Sequence, residues 1–387
     1  MASGVPKVLT KLACKTGAGP INWFPGHMAS ATRSIRERLR LIDLIVEVRD
    51  ARIPCTSANK DFQDFLSRKR RLIVCNKADL TNPNIVHKWK DYFEAQGESI
   101  VFVNAHNKDS IKLLFQEIRN GLKSIMDRPT LLIMVVGIPN VGKSAIINGL
   151  HAMSHTEHEK LKKATVGPLP GVTLNLQGFK IHSKPSIFIL DTPGVLVPNI
   201  SDLDTGLKLA LTGAIKDSVV GEERLCRYLL AFLNSRQAPL KWKKSIEEAR
   251  AKEEEARKLL VEKGKPKTLL ELKRQAYLAQ KRLSNPKPER VSDHNKDSVI
   301  LLVRETLLNT FSSFSGDLED ENDMESLVEI QMHELRKVLK VSIELGDKGW
   351  EILGRKILNL YRIGRLGNYS LDALSGEAEK QIGHTKV

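Results

Sequence analysis

Residues 131–150 read LLIMVVGIPNVGKSAIINGL. An apolar β-branched run, a glycine-bounded loop and a helix-period stretch follow one another without a break, and Gly137–Ser144 satisfies G-x-x-x-x-G-K-[ST]. This stretch constrains the fold more than any other, because such a loop works only where it joins a buried strand to a helix N-terminus. Its glycines let main-chain N–H groups from Asn140 through Val141, Gly142 and Lys143 to Ser144 wrap a β-phosphate, with Ala145 behind them in the helix. Lys143 suits the β- and γ-phosphates, and the Ser144 hydroxyl suits Mg²⁺.

Six strand-like runs are predicted, at 41–48, 71–75, 99–103, 131–136, 176–181 and 186–190, and helical stretches alternate with them. The expected class is therefore α/β, a six-stranded, doubly wound, mostly parallel sheet carrying the P-loop, followed by an α-helical C-terminal domain. Strand signals stop at about Pro198. The expected organisation is a transit peptide or disordered arm at 1–20, the P-loop domain at 21–198, a helical connection at 199–240, a basic arm at 241–290 and a helical domain at 291–387. The acidic patch 316–326 reads as a linker or loop.

Downstream of the P-loop, "ILDTPG" delivers Asp191 toward a Mg²⁺ water shell and lets the Gly194 N–H meet a γ-phosphate. Between them "GPLPGVT" offers Thr173 for Mg²⁺ and the γ-phosphate, with Thr165 as competitor on spacing. Upstream, "VCNKAD" ends another strand. Asp79 can accept from guanine N1–H and its exocyclic amine, a donor pair that adenine lacks; Lys77 can lay its stem on the base and Asn76 can bridge to the P-loop. Ala78 completes the tetrapeptide. In "VNAH" the Ala105 N–H can meet guanine O6, with Asn104 beside it. These pieces come in the order NKAD, P-loop, threonine, DTPG, which is a circular permutation of the Ras-like order. Permutation is tolerable where the old termini lie close together.

The combination of "WFPGHM" (23–28), "VRDARIP" (48–54), "NKAD", "GIPNVGKS", "GVT" and "DTPG" in this order resembles the circularly permuted ribosome-assembly GTPases, those with the Asp50-Ala51-Arg52 signature being called DAR GTPases. The likeness covers about 20–235, reappears in "GRLGNYSLDAL" (364–374), and is to the mitochondrial branch. It implies GTP and GDP as ligands, Mg²⁺ as cofactor, and the large ribosomal subunit with its rRNA as partner. It further implies a matrix-side location, with another organelle or the cytoplasm as the alternative, peripheral association with the inner membrane, and a monomer. Asn140 resembles the asparagine with which related GTPases hold an activating K⁺. Where Ras-like enzymes place a water-orienting glutamine, this chain has Val195, and the resemblance implies that His27 supplies the catalytic group. The alternative is that His27 caps the helix that follows while Trp23 and Phe24 anchor the arm.

Other features are less specific. No apolar run approaches the ~20 residues of a membrane-spanning helix. The cysteines Cys14, Cys55, Cys75 and Cys226 stand far apart, as free thiols in a reducing compartment do. His151, His155 and His158 share a helical face and read either as a metal stripe or, more simply, as a solvated one. The net charge is +15, and 241–290 holds 16 Lys/Arg against 8 Asp/Glu, a surface for polyanions or a solvated helix. Two function classes fit: a GTPase whose turnover an rRNA-containing partner triggers, and a GTP-dependent sensor or scaffold in which hydrolysis is incidental.

Overall fold

The structure is a computed structural model that describes residues 33, 35–59, 69–157, 167–168, 177–195, 200, 202–263 and 293–374. It separates into two compact units: Met1–Leu225 with Tyr361–Val387, and Cys226–Leu360.

The first unit is built on one sheet. All six expected strands form: β1 (Leu44–Asp50), β2 (Arg71–Asn76), β3 (Ser99–Phe102), β4 (Thr130–Val136), β6 (Gln177–Ser183) and β7 (Ser186–Asp191). A two-residue β5 (Gly167–Pro168) adds a seventh, and the order is β3-β2-β1-β4-β7-β6-β5. β3 through β7 run parallel, while β6 and β5 pair antiparallel at one edge. β1 is buried at every residue and β4 at all but its first, as strands covered on both faces must be.

The boundaries of β1 differ from expectation at both ends. Leu39–Leu41 closes as a 3₁₀ turn, and the Asp43 carboxylate then accepts from Leu132 N at 2.9 Å and pairs with Arg128 at 2.8 Å, so the strand starts only at Leu44. It continues past Val48 because the charges there are paired inside the protein: Arg49 Nε donates to Glu47 at 2.8 Å, and Arg52 bonds Asp50.

Helices flank the sheet for local reasons. Asn82 caps Pro83–Ala95 by accepting from Asn84 N, with Pro83 in the first turn, and the helix buries Trp89 and Phe93. Asn107 caps Lys108–Leu122, which buries Ile111, Leu114, Phe115, Ile118 and Leu122 at helical spacing. The P-loop helix runs Lys143–Glu157.

In the second unit no strand occurs among the described residues. Helices Lys243–Lys263, Asp293–Ser313 and Glu321–Val338 belong to it, and a buried reciprocal amide pair, Asn234 with Gln331 at 2.9 and 3.0 Å, joins two of its segments. The acidic patch expected to be a linker or loop is helical from Glu321. Asp320 caps that helix by accepting from Asn322 N and Asp323 N, and acidic residues in a first turn complement the helix dipole. The first residues of the basic arm are packed, since Trp242 and Ile246 are buried. No described helix is long and apolar enough to cross a membrane.

Candidate nucleotide site

Strand register assembles the site at the carboxyl edge of the sheet. Asp50 pairs with Asn76 across β1 and β2, Glu47 with Val136 across β1 and β4, and Val135 with Asp191 across β4 and β7. The DAR, NKAD, P-loop and DTPG segments therefore leave the sheet side by side.

The P-loop needs its glycines for close approach. Gly137 lies at φ +150°, and a Cβ there would sit 2.3 Å from Val48 O; Gly142 lies at φ +98°, and its Cβ would sit 2.2 Å from Asn76 Nδ2. Asn76 takes the room that Gly142 leaves: its Nδ2 donates to Val141 O at 2.9 Å, and its Oδ1 accepts from Ala105 N at 3.0 Å. One side chain thus ties the NKAD, P-loop and 103–107 segments together. The N–H that the sequence offers to guanine O6, that of Ala105, is engaged by Asn76 here, and the Asn104 side chain accepts from His106 N at 2.9 Å to shape its own turn.

Lys77 stands at φ +62° and bridges two loops. Its ammonium donates to Asn140 O at 2.7 Å and pairs with Asp50 at 3.0 Å. Ala78 N donates to Val103 O at 3.0 Å, which fixes the start of the turn carrying Asp79. Asp50 is buried and bound by Arg52 through Nε at 2.9 Å and Nη2 at 2.8 Å. Burial alone would raise its pKa; Arg52 and Lys77 outweigh it and hold the carboxyl at about 2. Asn140, at φ +58°, turns its amide nitrogen to Gly213 O at 2.7 Å.

At the phosphate end, Lys143 is buried and donates to Gly137 O at 3.1 Å and Ile138 O at 2.9 Å. Burial lowers its pKa to about 8 against the pull of Asp191, whose own carboxyl burial pushes upward. Ser144 lies exposed in the first turn of its helix and Asp191 exposed at the end of β7. These hard oxygen donors suit Mg²⁺, which takes one or two protein oxygens and fills its octahedron with phosphate and water. No group of three or more His, Cys, Asp or Glu side chains gathers for a metal among the described residues. Gly194 abuts the P-loop, where a Cβ would come 2.8 Å from Pro139 Cα and 3.0 Å from Lys143 Nζ.

Val195 is buried and has no polar side-chain atom to offer the site. Its N–H donates to Gly137 O at 3.3 Å, and its carbonyl accepts from Asn59 Nδ2 at 2.9 Å. His27, Trp23, Phe24, Thr165, Thr173 and His158 lie outside the described residues. The ring of His151 meets Phe179 edge-on at 5.8 Å. Sequence reasoning missed Asn59 and the role of Asp50. The second had a signal, since a carboxylate ending a buried strand beside NKAD needs a cation.

A family model described as "50S ribosome-binding GTPase" matches residues 132–273. It begins at the P-loop strand, so the NKAD half lies before it. "Short integuments 2, mitochondrial" of Arabidopsis thaliana is 48% identical over 359 residues, 92% of this chain and 90% of that protein. "DAR GTPase 2, mitochondrial" of the same plant is 39% identical over 365 residues, 92% of each. "Ribosome biogenesis GTPase A" of Bacillus pumilus is 37% identical over 221 residues, 55% of this chain and 75% of that protein. The span shared with the plant relatives takes in most of the basic arm, whereas the bacterial one covers little more than half the chain. With the motif order and strand register described above, this likeness shows that the chain belongs to the circularly permuted DAR GTPases, beside their mitochondrial members.

Proposed function

We propose that this protein binds and hydrolyses GTP and spends the cycle on assembly of the large ribosomal subunit on the matrix side of mitochondria. The observation that carries the nucleotide reading is Asn76, whose amide joins the base-side loop to the phosphate loop. Ribosomal action is supported by the family description and by the bacterial relative's name, and the mitochondrial setting by both plant relatives' names.

In this reading Asp79 accepts from the guanine edge, Lys77 covers the base, and the N–H groups from Asn140 to Ala145 cradle the phosphates with Lys143. GTPases of this kind use Mg²⁺; Ser144 and Asp191 would hold it, with Thr173 joining them, and it would neutralise charge on the β- and γ-phosphates. The Gly194 N–H meets the γ-phosphate. Asn140 spends its amide nitrogen on Gly213, which leaves its oxygen as the atom for K⁺. Val195 brings no polar side-chain group, and the family resemblance implies His27 for the water-orienting role. Peripheral attachment to the inner membrane and a monomeric state belong to the same proposal. The test is GTP turnover with and without purified mitochondrial large subunits. Stimulation is expected. An unchanged rate with nucleotide-dependent binding would refute partner-triggered turnover and leave a scaffold.

A further inference from the structure

The loop that carries Asp79 has little to hold it in shape. Ala78–Leu80 is a three-residue 3₁₀ turn with no buried residue and no side-chain cap, entered through Lys77 in a left-handed conformation. Beyond the Ala78 N–H on Val103 O that fixes its start, its support comes from the far end of the chain. Asn368 Nδ2 donates to Asp79 O at 2.9 Å, across 289 positions of sequence. Gly364, at φ +77°, passes so close that a Cβ would come 3.0 Å from the Leu80 side chain.

The same segment grips the DAR loop. Leu371 N donates to Arg52 O at 2.8 Å. The buried Asp372 carboxylate accepts from Cys55 N and Thr56 N, both at 2.9 Å, and from Thr56 Oγ1 at 2.5 Å. Leu374 enters the core cluster that contains Ala51, Ile73 and Trp89, against which Ala78 packs. The middle residues of DAR and NKAD thus rest on one patch with the tail. Asp50 closes the circuit, bound to Arg52 on one side and to Lys77 on the other.

We propose that residues 364–374 are a positioning element of the guanine site: Asn368, through the main chain of Asp79, and Asp372, through the DAR loop, hold the base-reading carboxylate in place. Guanine selectivity then depends on the C-terminal tail. A carboxylate that must meet two ring donors at once tolerates little drift, so loosening its main chain weakens the guanine contact selectively and leaves the phosphate cradle intact. The inference rests on reading 76–79 as the guanine loop.

The experiment uses the full chain with Asn368→Ala and the isosteric Asn368→Asp, which sets an acceptor against the Asp79 carbonyl. It measures release of fluorescent GDP, the ratio of Kd for inosine diphosphate to Kd for GDP, and the melting temperature. Inosine lacks the exocyclic amine that Asp79 holds. A wild-type ratio near one would remove the guanine-loop reading itself. Given a wild-type preference for GDP, Asn368→Ala should speed GDP release about 2- to 10-fold, the worth of one net hydrogen bond, and shrink the ratio, with Asn368→Asp shrinking it further. Because Asn368 is exposed, the melting temperature should barely move. A ratio unchanged in both variants overturns the proposal, whatever happens to release or melting, and makes the tail a structural brace only.

Discussion

Nucleotide binding should take a proton from solution, and Lys143 should be the group that receives it. Its ammonium is buried against two P-loop carbonyls, and burial lowers its pKa from 10.5 to about 8 despite Asp191. Bound phosphates surround it with negative charge and return the pKa to at least its ordinary value. At pH 8, half of the free molecules hold Lys143 neutral, so binding takes up about half a proton per GDP; at pH 7 it takes up about a tenth. The same arithmetic weakens GDP binding about fourfold between pH 7 and pH 8.5, below the range in which the guanine ring ionises. The sign for folding follows from the same shift. A lysine depressed in the folded state costs stability at neutral pH, on the order of 3 kcal/mol for this shift. That cost is recovered as pH rises from about 8 to the 10.5 of the unfolded chain, so this contribution stabilises the nucleotide-free protein through that window. Calorimetry of GDP binding in two buffers of different ionisation enthalpy reads the proton count directly. Lys143→Arg, charged throughout, should show none. Uptake below about a tenth of a proton at pH 8 in the wild type would refute the reasoning.

Gly142→Ala should lower GDP affinity at least tenfold, because the new Cβ falls 2.2 Å from Asn76 Nδ2 and forces that amide off Val141 and Ala105; fluorescence titration checks it. Asp79→Asn should cost ~1.5–3 kcal/mol of GTP binding and turn preference toward xanthine nucleotides, and an unchanged GTP affinity would make NKAD a surface turn. Since Trp242 and Ile246 are buried, the basic arm is best tested by removing 264–290, which carries eight Lys/Arg against two Asp/Glu. Intrinsic hydrolysis should persist while ribosomal-subunit binding loses salt dependence by about 0.7–0.9 in log–log slope per lost phosphate contact. His27→Ala should slow single-turnover hydrolysis on the subunit by ~10²–10⁴-fold with GTP affinity nearly unchanged, whereas equal rates with lower thermal stability would make the residue a cap or anchor.

The frame of the candidate site was legible wherever one short stretch carries its own geometry. GIPNVGKS, DTPG and NKAD each end a strand, and each strand announces itself by apolar β-branched residues. Asp50 was not legible as part of β1, because a charged triplet reads as loop until its partners Arg52 and Lys77 are seen to neutralise it. The acidic patch misled for a related reason: Asp320 and its neighbours are poor helix interior but good helix start, and only the cap distinguishes the two. The partners of Asn59, Asn368 and Asp372 could not be read from sequence, although the last two lie in the family-like stretch GRLGNYSLDAL. Each acts by a hydrogen bond to a main-chain group or loop more than a hundred positions away, and no periodicity records such a pair.

Permutation leaves the chemistry of the sheet edge untouched but changes what is covalently attached to it. In this chain the DTPG strand is followed by helix Leu203–Leu211 and then by the second unit, and the chain returns from that unit at Tyr361 to the tail beneath DAR and NKAD. The phosphate end and the base end of one ligand site therefore each continue into a connection to the same helical unit. Within the first unit the two connections also meet. Arg362, at the return point, donates to Leu211 O at 3.0 Å and Ala210 O at 2.7 Å, the last carbonyls of the helix after DTPG, and pairs with Asp217 at 2.6 Å. A guanidinium so placed caps the helix and complements its dipole, so any shift of Leu203–Leu211 must either break its two bonds to Arg362 or carry that residue along. Arg362 is also the last residue of helix Gly346–Arg362, through which the chain comes back from the second unit.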